Sequence, residues 1–164
     1  MEHRNYTQFS DDPMIAMANA DREIDAEHQS LLRLLSAAKS LCGGDLKLDC
    51  HGCEIAKRND CVQFVMRHMG DVLGFMADHF AHEERLMRYL PQSLGATDHC
   101  ERHRVAHAEI SEALVGQVTR LDESNPARSN ARLCGLIEDW LSDHIANDDH
   151  SLLGYFAAAA AVRT

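Results

Sequence analysis

Apolar positions along this chain recur three and four residues apart, the period of a helix, and show no sustained two-residue alternation of the kind that marks a strand. Ile24, His28, Leu31, Leu32 and Leu35 share one face of a first helix over roughly 21–41, and Gly43-Gly44 ends it. A polar, cysteine-bearing segment continues to about residue 60. Val65, Met69, Val72, Leu73, Met76, Phe80, Glu83 and Met87 then repeat at helical spacing, which predicts a second helix reaching about Tyr89. Pro91 to Gly95 reads as a connection. A third helix is expected over roughly 97–121, ended by Asp122-Glu123-Ser124-Asn125-Pro126, and a fourth from about Ser129 to Asn147. Pro13, Pro91 and Pro126 each sit where a helix should start or stop. The alanine-rich stretch from Leu152 to Val162 extends or follows the fourth helix. Four long helices with three connections predict an all-α fold, an antiparallel up-down four-helix bundle. It carries an N-terminal arm and a cysteine-rich insertion at about 42–61 between helices 1 and 2. One domain spans 1–164, with a C-terminal alanine-rich tail at about 152–164.

Length and charge narrow the partners. A chain of 164 residues can bury a real core as a single domain. The formal net charge of -10 argues against nucleic acid and against anionic membrane surfaces. The run GYFAAAAAV is far too short to span a bilayer. The polar, acidic N-terminus lacks the apolar stretch of a secretory signal. A soluble, cytoplasmic protein without a membrane partner is expected.

Chemistry concentrates in five histidines and two carboxylates: His28, His79 with Glu83, His103 with His107, and His144 with Asp149. His79/Glu83 and His103/His107 are four residues apart, so each pair stacks on one helix face, one turn apart. In a bundle, one inward donor from the first helix and two from each of the others converge on a single cavity. Imidazole and carboxylate together suit iron, and also zinc or manganese. Seven donors are too many for one tetrahedral zinc but enough for two metals. If Glu83 and Asp149 bridge two ions together with a solvent oxygen, three histidines complete six-coordination at one, and two histidines leave the other with an open position. An open position separates a reactive metal from a structural one. Two divalent ions, two carboxylates and a hydroxide also make a nearly neutral cluster, which an apolar core tolerates. One spacing is awkward: His144 and Asp149 are five apart, and spacing alone favours Asp148 unless the helix is locally widened.

These segments carry a family resemblance. His28 lies in Ile-Asp-Ala-Glu-His-Gln-Ser-Leu-Leu, His79 to Met87 reads HFAHEERLM, His103 to His107 reads HRVAH, and Trp140 to Asp149 reads WLSDHIANDD. Together they resemble the hemerythrin family over roughly residues 20–155, with every donor position filled in order. The resemblance implies two iron ions in a non-haem centre that binds dioxygen reversibly, and it selects Asp149 over Asp148. It also implies that His103, His107 and His144 hold the six-coordinate iron, that His28 and His79 hold the five-coordinate iron where oxygen lands, and that Glu83 and Asp149 bridge. The chain departs from the family in lacking an aromatic residue in the arm Pro13-Met14-Ile15-Ala16-Met17, and in the expanded connection that holds four cysteines.

The expected role is oxygen binding, as an oxygen or redox sensor that signals through a partner or a fused output domain. An enzyme acting on peroxide or nitric oxide, or an iron-handling protein, is the alternative. No acid/base group is evident near the open position, and five histidines with two carboxylates differ from the carboxylate-rich sites of bundle oxygenases. Cys42, Cys50, Cys53 and Cys61 could hold zinc, with His51 as a further donor, could cycle as a redox pair at Cys50 and Cys53, or could do neither. His82 reads as a surface residue and Glu84 as solvated. His68 and His99 read as core or exposed, Cys100 as a small buried hydrophobe, and Met66, Met69, Met76 and Met87 as core filler. Trp140, one turn before His144, is expected to pack beside the site.

Overall fold

The computed structural model describes residues 12–41 and 49–161. These residues are helical, with no strand among them, and form a helical bundle. Helix α1 spans Pro13–Lys39. Proline opens it without loss, because the first N–H of a helix has no intrahelical partner, and Asp12 accepts from the amides of Met14 (2.8 Å) and Ile15 (3.5 Å). The helix therefore begins well before the expected residue 21. The stretch expected as an arm, 13–17, is its opening turn, because Ala16, Met17 and Ala20 continue the buried face upstream of Ile24. The rest of the arm lies outside the described residues.

Helix α2 spans Ile55–Met87. Cys61 lies inside it, so the expected insertion gives way to helix from residue 55. Cys42 falls outside the described residues. A short 3-10 turn, Gln92–Leu94, leads through Gly95 (φ 66°) towards α3, Thr97–Thr119. Helix α4, Pro126–His144, repeats the opening device of α1: proline at the first turn, with Asn125 accepting from the Arg128 amide at 3.3 Å. The chain then widens into one π-helical turn, Ile145–Asp149, and continues as α5, His150–Ala161. The expected tail is helix as far as Ala161, where the described residues end, and its Leu152, Phe156 and Ala159 are buried.

Two apolar clusters form the core. One holds Leu31, Leu35, Val65, Met69, Val72, Met76, Phe80, Ile110, Leu114, Leu133, Ile137 and Leu141. The other holds Ala16, Ala20, Ile24, Leu86, Met87, Cys100, Leu152 and Phe156. In every helix the candidate donors fall between residues of the two clusters: His28 between Ile24 and Leu31, His79 and Glu83 between Met76 and Leu86, His103 and His107 between Cys100 and Ile110, and His144 and Asp149 between Leu141 and Leu152. A polar layer is thereby sealed between two dry ones. Cys100 is buried in the second cluster, as its sequence context predicts. Leu32 and Met66, expected inside, are 44% and 50% exposed. Both neighbour buried positions in sequence but lie on the outer sides of their helices.

Candidate metal centre

All seven donors are buried: Glu83 and His103 are 0% exposed, His79, His144 and Asp149 1%, His107 3% and His28 6%. They fall into two groups of donor atoms lying within 4.8 Å of one another, Glu83 with His103, His107 and His144, and His28 with His79, Glu83 and Asp149. Each carboxylate divides its oxygens between the groups. Glu83 Oε2 lies 3.3 Å from His103 Nε2 and 3.0 Å from His107 Nε2, while Oε1 faces His79 Nε2 at 3.7 Å. Asp149 Oδ1 lies 3.3 Å from His103 Nε2 and 3.0 Å from His144 Nε2, while Oδ2 meets His28 Nε2 at 2.9 Å.

The spacing His144–Asp149 is resolved by the π turn. Widening the helix over 145–149 turns Asp149 inward and buries it, and leaves Asp148 outside, with its side chain 25% exposed and Oδ2 3.3 Å from His144 Nδ1. Both aspartates therefore face His144, from its two ring nitrogens.

A ring of carboxylates backs the imidazoles. His79 Nδ1 donates to Glu27 Oε2 at 2.7 Å, and His107 Nδ1 to Glu84 Oε1 at 3.2 Å. With Nδ1 protonated, Nε2 of a neutral imidazole carries its lone pair inward. In the first group the three Nε2 atoms crowd together, His103 to His144 at 3.0 Å and His107 to His144 at 3.3 Å. Lone pairs facing each other at this range repel unless a proton or a cation lies between them. Two donors at about 2.1 Å from one ion, at right angles, are about 3.0 Å apart, close to the separations of 3.0 and 3.3 Å found here. His28 Nε2, His79 Nε2 and both oxygens of Glu83 and Asp149 have no aimed hydrogen bond among the described residues. Buried polar atoms left in this state fit a metal. The donor set thus fits the group that its chemistry implies.

The electrostatics agree. Burial opposes ionisation of Glu83, but the facing histidines outweigh it and hold the carboxyl well below its usual range. Asp149 is lowered in the same way, against burial, by His103, His144 and His28. Burial works against charging His144, yet Asp149 and Glu83 push it up to about 9. His79 and His103 are likewise raised by their carboxylates against the cost of burial. The site is a compensated set of acids and bases in which a cation can replace protons.

Aromatic rings wall it. Phe80 stacks on His107 with centroids 3.9 Å apart, and Trp140 on His144 at 4.1 Å, which places the tryptophan beside the site as expected. Several readings from sequence need correction. His82 is not on the surface: it is 3% exposed, and its Nδ1 donates to the second oxygen of Glu27 at 2.7 Å. Glu84 is only partly solvated and receives His107. The cross-helix contact of Glu27 leaves no periodic signal, since it depends on how α1 and α2 meet. His68 and His99 are both buried. Of the four clustered cysteines, Cys42 lies outside the described residues, and among the described residues no three donors gather at Cys50, Cys53 and Cys61.

Buried histidines and carboxylates of this composition, projecting into a helical bundle, define a metal-binding helical domain. The family comparison agrees: the model of the hemerythrin HHE cation binding domain matches residues 19–156, and the chain belongs to that family. The searches of curated proteins and of solved structures gave no match. No helix among the described residues is long and apolar enough to cross a membrane.

Proposed function

We propose that this protein is a non-haem di-iron protein that binds dioxygen reversibly and acts as an oxygen or redox sensor. The observation that carries the reading is the division of each carboxylate's oxygens between three histidines on one side and two on the other. His103, His107 and His144 would hold one iron, His28 and His79 the other, and Glu83 and Asp149 would join both. The two-histidine side, sharing both carboxylates with the other, would have fewer donors of its own and so would leave room for a small exogenous ligand. Bound ferrous ions would supply the electrons that dioxygen binding requires. The chain's own residues do the rest. Glu27 and Glu84 fix the tautomers of His79 and His107. Phe80 and Trp140 keep water from the histidine side of the cavity.

The same reading includes an up-down antiparallel arrangement of the helices in one domain, a cytoplasmic setting, and a partner or fused segment that receives the signal. Catalysis on peroxide or nitric oxide is the less favoured use, because five histidines with two carboxylates differ from the carboxylate-rich sites of bundle oxygenases.

The test is the optical spectrum of the reduced protein before and after admitting oxygen, with metal content on the same sample. Two irons per chain and a reversible charge-transfer band are expected, and His79→Ala and His103→Ala should each load well below two. Full loading in both variants, or direct conversion to a ferric form with no reversible band, would overturn the assignment.

A further inference from the structure

Cys50 and Cys53 are two free thiols that the metal centre leaves unused. Cys50-His51-Gly52-Cys53 is a closed turn: the Cys53 amide donates to the Cys50 carbonyl at 3.1 Å, and Gly52 takes φ 84°, the left-handed value that the third residue of a type II turn requires. Such a turn holds its end Cα atoms within about 7 Å. A disulfide needs a Cα separation of about 4.4–6.8 Å. The turn therefore sets the two residues at a Cα separation that a disulfide can span, and both are free thiols. Cys50 is 5% exposed yet lines a cavity of about 220 Å³ together with His51, Arg58 and Arg128, while Cys53 is half-buried. Helix α2 separates this turn from the metal centre: Ile55 and His79 lie about 36 Å apart on a helix rising about 1.5 Å per residue.

We propose that Cys50 and Cys53 form a second reactive site, a dithiol that hydroperoxides oxidise to an intramolecular disulfide. The Cys53 sulfur, the more accessible, attacks one peroxide oxygen. An S–O bond forms, the O–O bond breaks, and the thiol proton leaves with the departing oxygen, as water when the oxidant is hydrogen peroxide. The Cys50 sulfur then attacks the resulting sulfenic sulfur. The S–S bond forms, the S–O bond breaks, and the hydroxyl leaves as water with the Cys50 proton. Two thiols lose two electrons and two protons, and the peroxide takes up both. A small-molecule dithiol reverses the change.

The experiment treats the metal-loaded full chain with stoichiometric hydrogen peroxide and follows thiol count and peptide mass. Expected is the loss of two thiols, a 50–53 peptide lighter by two hydrogens, and full recovery with dithiothreitol. In Cys50→Ser the linkage should vanish and Cys53 should instead carry one or more oxygens. Metal content and spectrum should be the same in Cys50→Ser, Cys53→Ser and the parent, so this result stands apart from the iron assignment. Linkage of Cys53 to Cys42 or Cys61 instead, oxygen addition at Cys53 of the parent without linkage, or stoichiometric zinc on the thiols would each overturn the proposal.

Discussion

His144 Nε2 lies 3.0 Å from Asp149 Oδ1 although the two residues stand five positions apart in the chain. On a regular α-helix, at about 100° per residue, their side chains would diverge by about 140°. The π turn over Ile145–Asp149 removes that divergence and offers Asp148 to the opposite nitrogen of the same ring. The two aspartates should therefore behave differently. Asp149→Asn should drop metal content well below that of the parent. Asp148→Asn should keep the stoichiometry while weakening affinity by about 10–100-fold, the usual effect of losing a carboxylate behind a histidine ligand. Equal losses of stoichiometry in both variants would contradict the division of roles, and metal analysis after dialysis against graded chelator reads it.

Glu27 serves two histidines, with one oxygen for His79 and one for His82. Burial opposes its charge, but both histidines outweigh it and lower its pKa, so it remains a carboxylate acceptor. Glu27→Gln should weaken metal retention about 10–100-fold, with the His28/His79 side emptying first. Titration of iron against a competing chelator measures this, and an unchanged curve would show that Glu27 does not support the site.

Chelation should destabilise the fold itself. An ion bound only by the native state adds about 4 kcal/mol when present at a thousand times its Kd. Metal removal is expected to lower Tm, and ferrous iron under anaerobic conditions to restore it. A Tm indifferent to metal would mean that the seven donors bind no ion tightly.

Ile137, 0% exposed in the larger cluster, tests the core separately. Ile137→Ala should cost about 2–5 kcal/mol in denaturant unfolding, while leaving metal stoichiometry intact. Loss of metal without loss of stability would reverse the expected order of effects.

His68 supplies a pH signature away from the centre. Burial lowers its pKa below 6.5, with Asp71 opposing weakly. The folded state therefore prefers the neutral ring, and the contribution is complete above pH 6.5 and fades as pH falls through 6.5 towards the folded value. Between about pH 7 and 5, His68→Leu should therefore lose less stability, or gain more, than the parent does. Parallel slopes would remove His68 as a source of acid sensitivity.

Much of the protein is legible in the chain because helical periodicity is local. Met69, Val72, Met76 and Phe80 announce α2, and the four-residue spacings of His79/Glu83 and His103/His107 put donors on shared faces without knowledge of any neighbour. Small residues hid the beginning of α1, since Ala16 and Ala20 are buried yet carry little hydrophobic signal. What the chain by itself determined was the helices, the inward donors and their kinship. Only the tertiary structure paired Glu27 with His79 and His82, brought Glu84 to His107, and supplied the π turn that gives Asp149 and Asp148 opposite nitrogens of His144. The reason is physical: a helix face follows from a repeat within one segment, whereas a contact between helices depends on their relative rotation and height, which side-chain packing sets only when the whole bundle has closed.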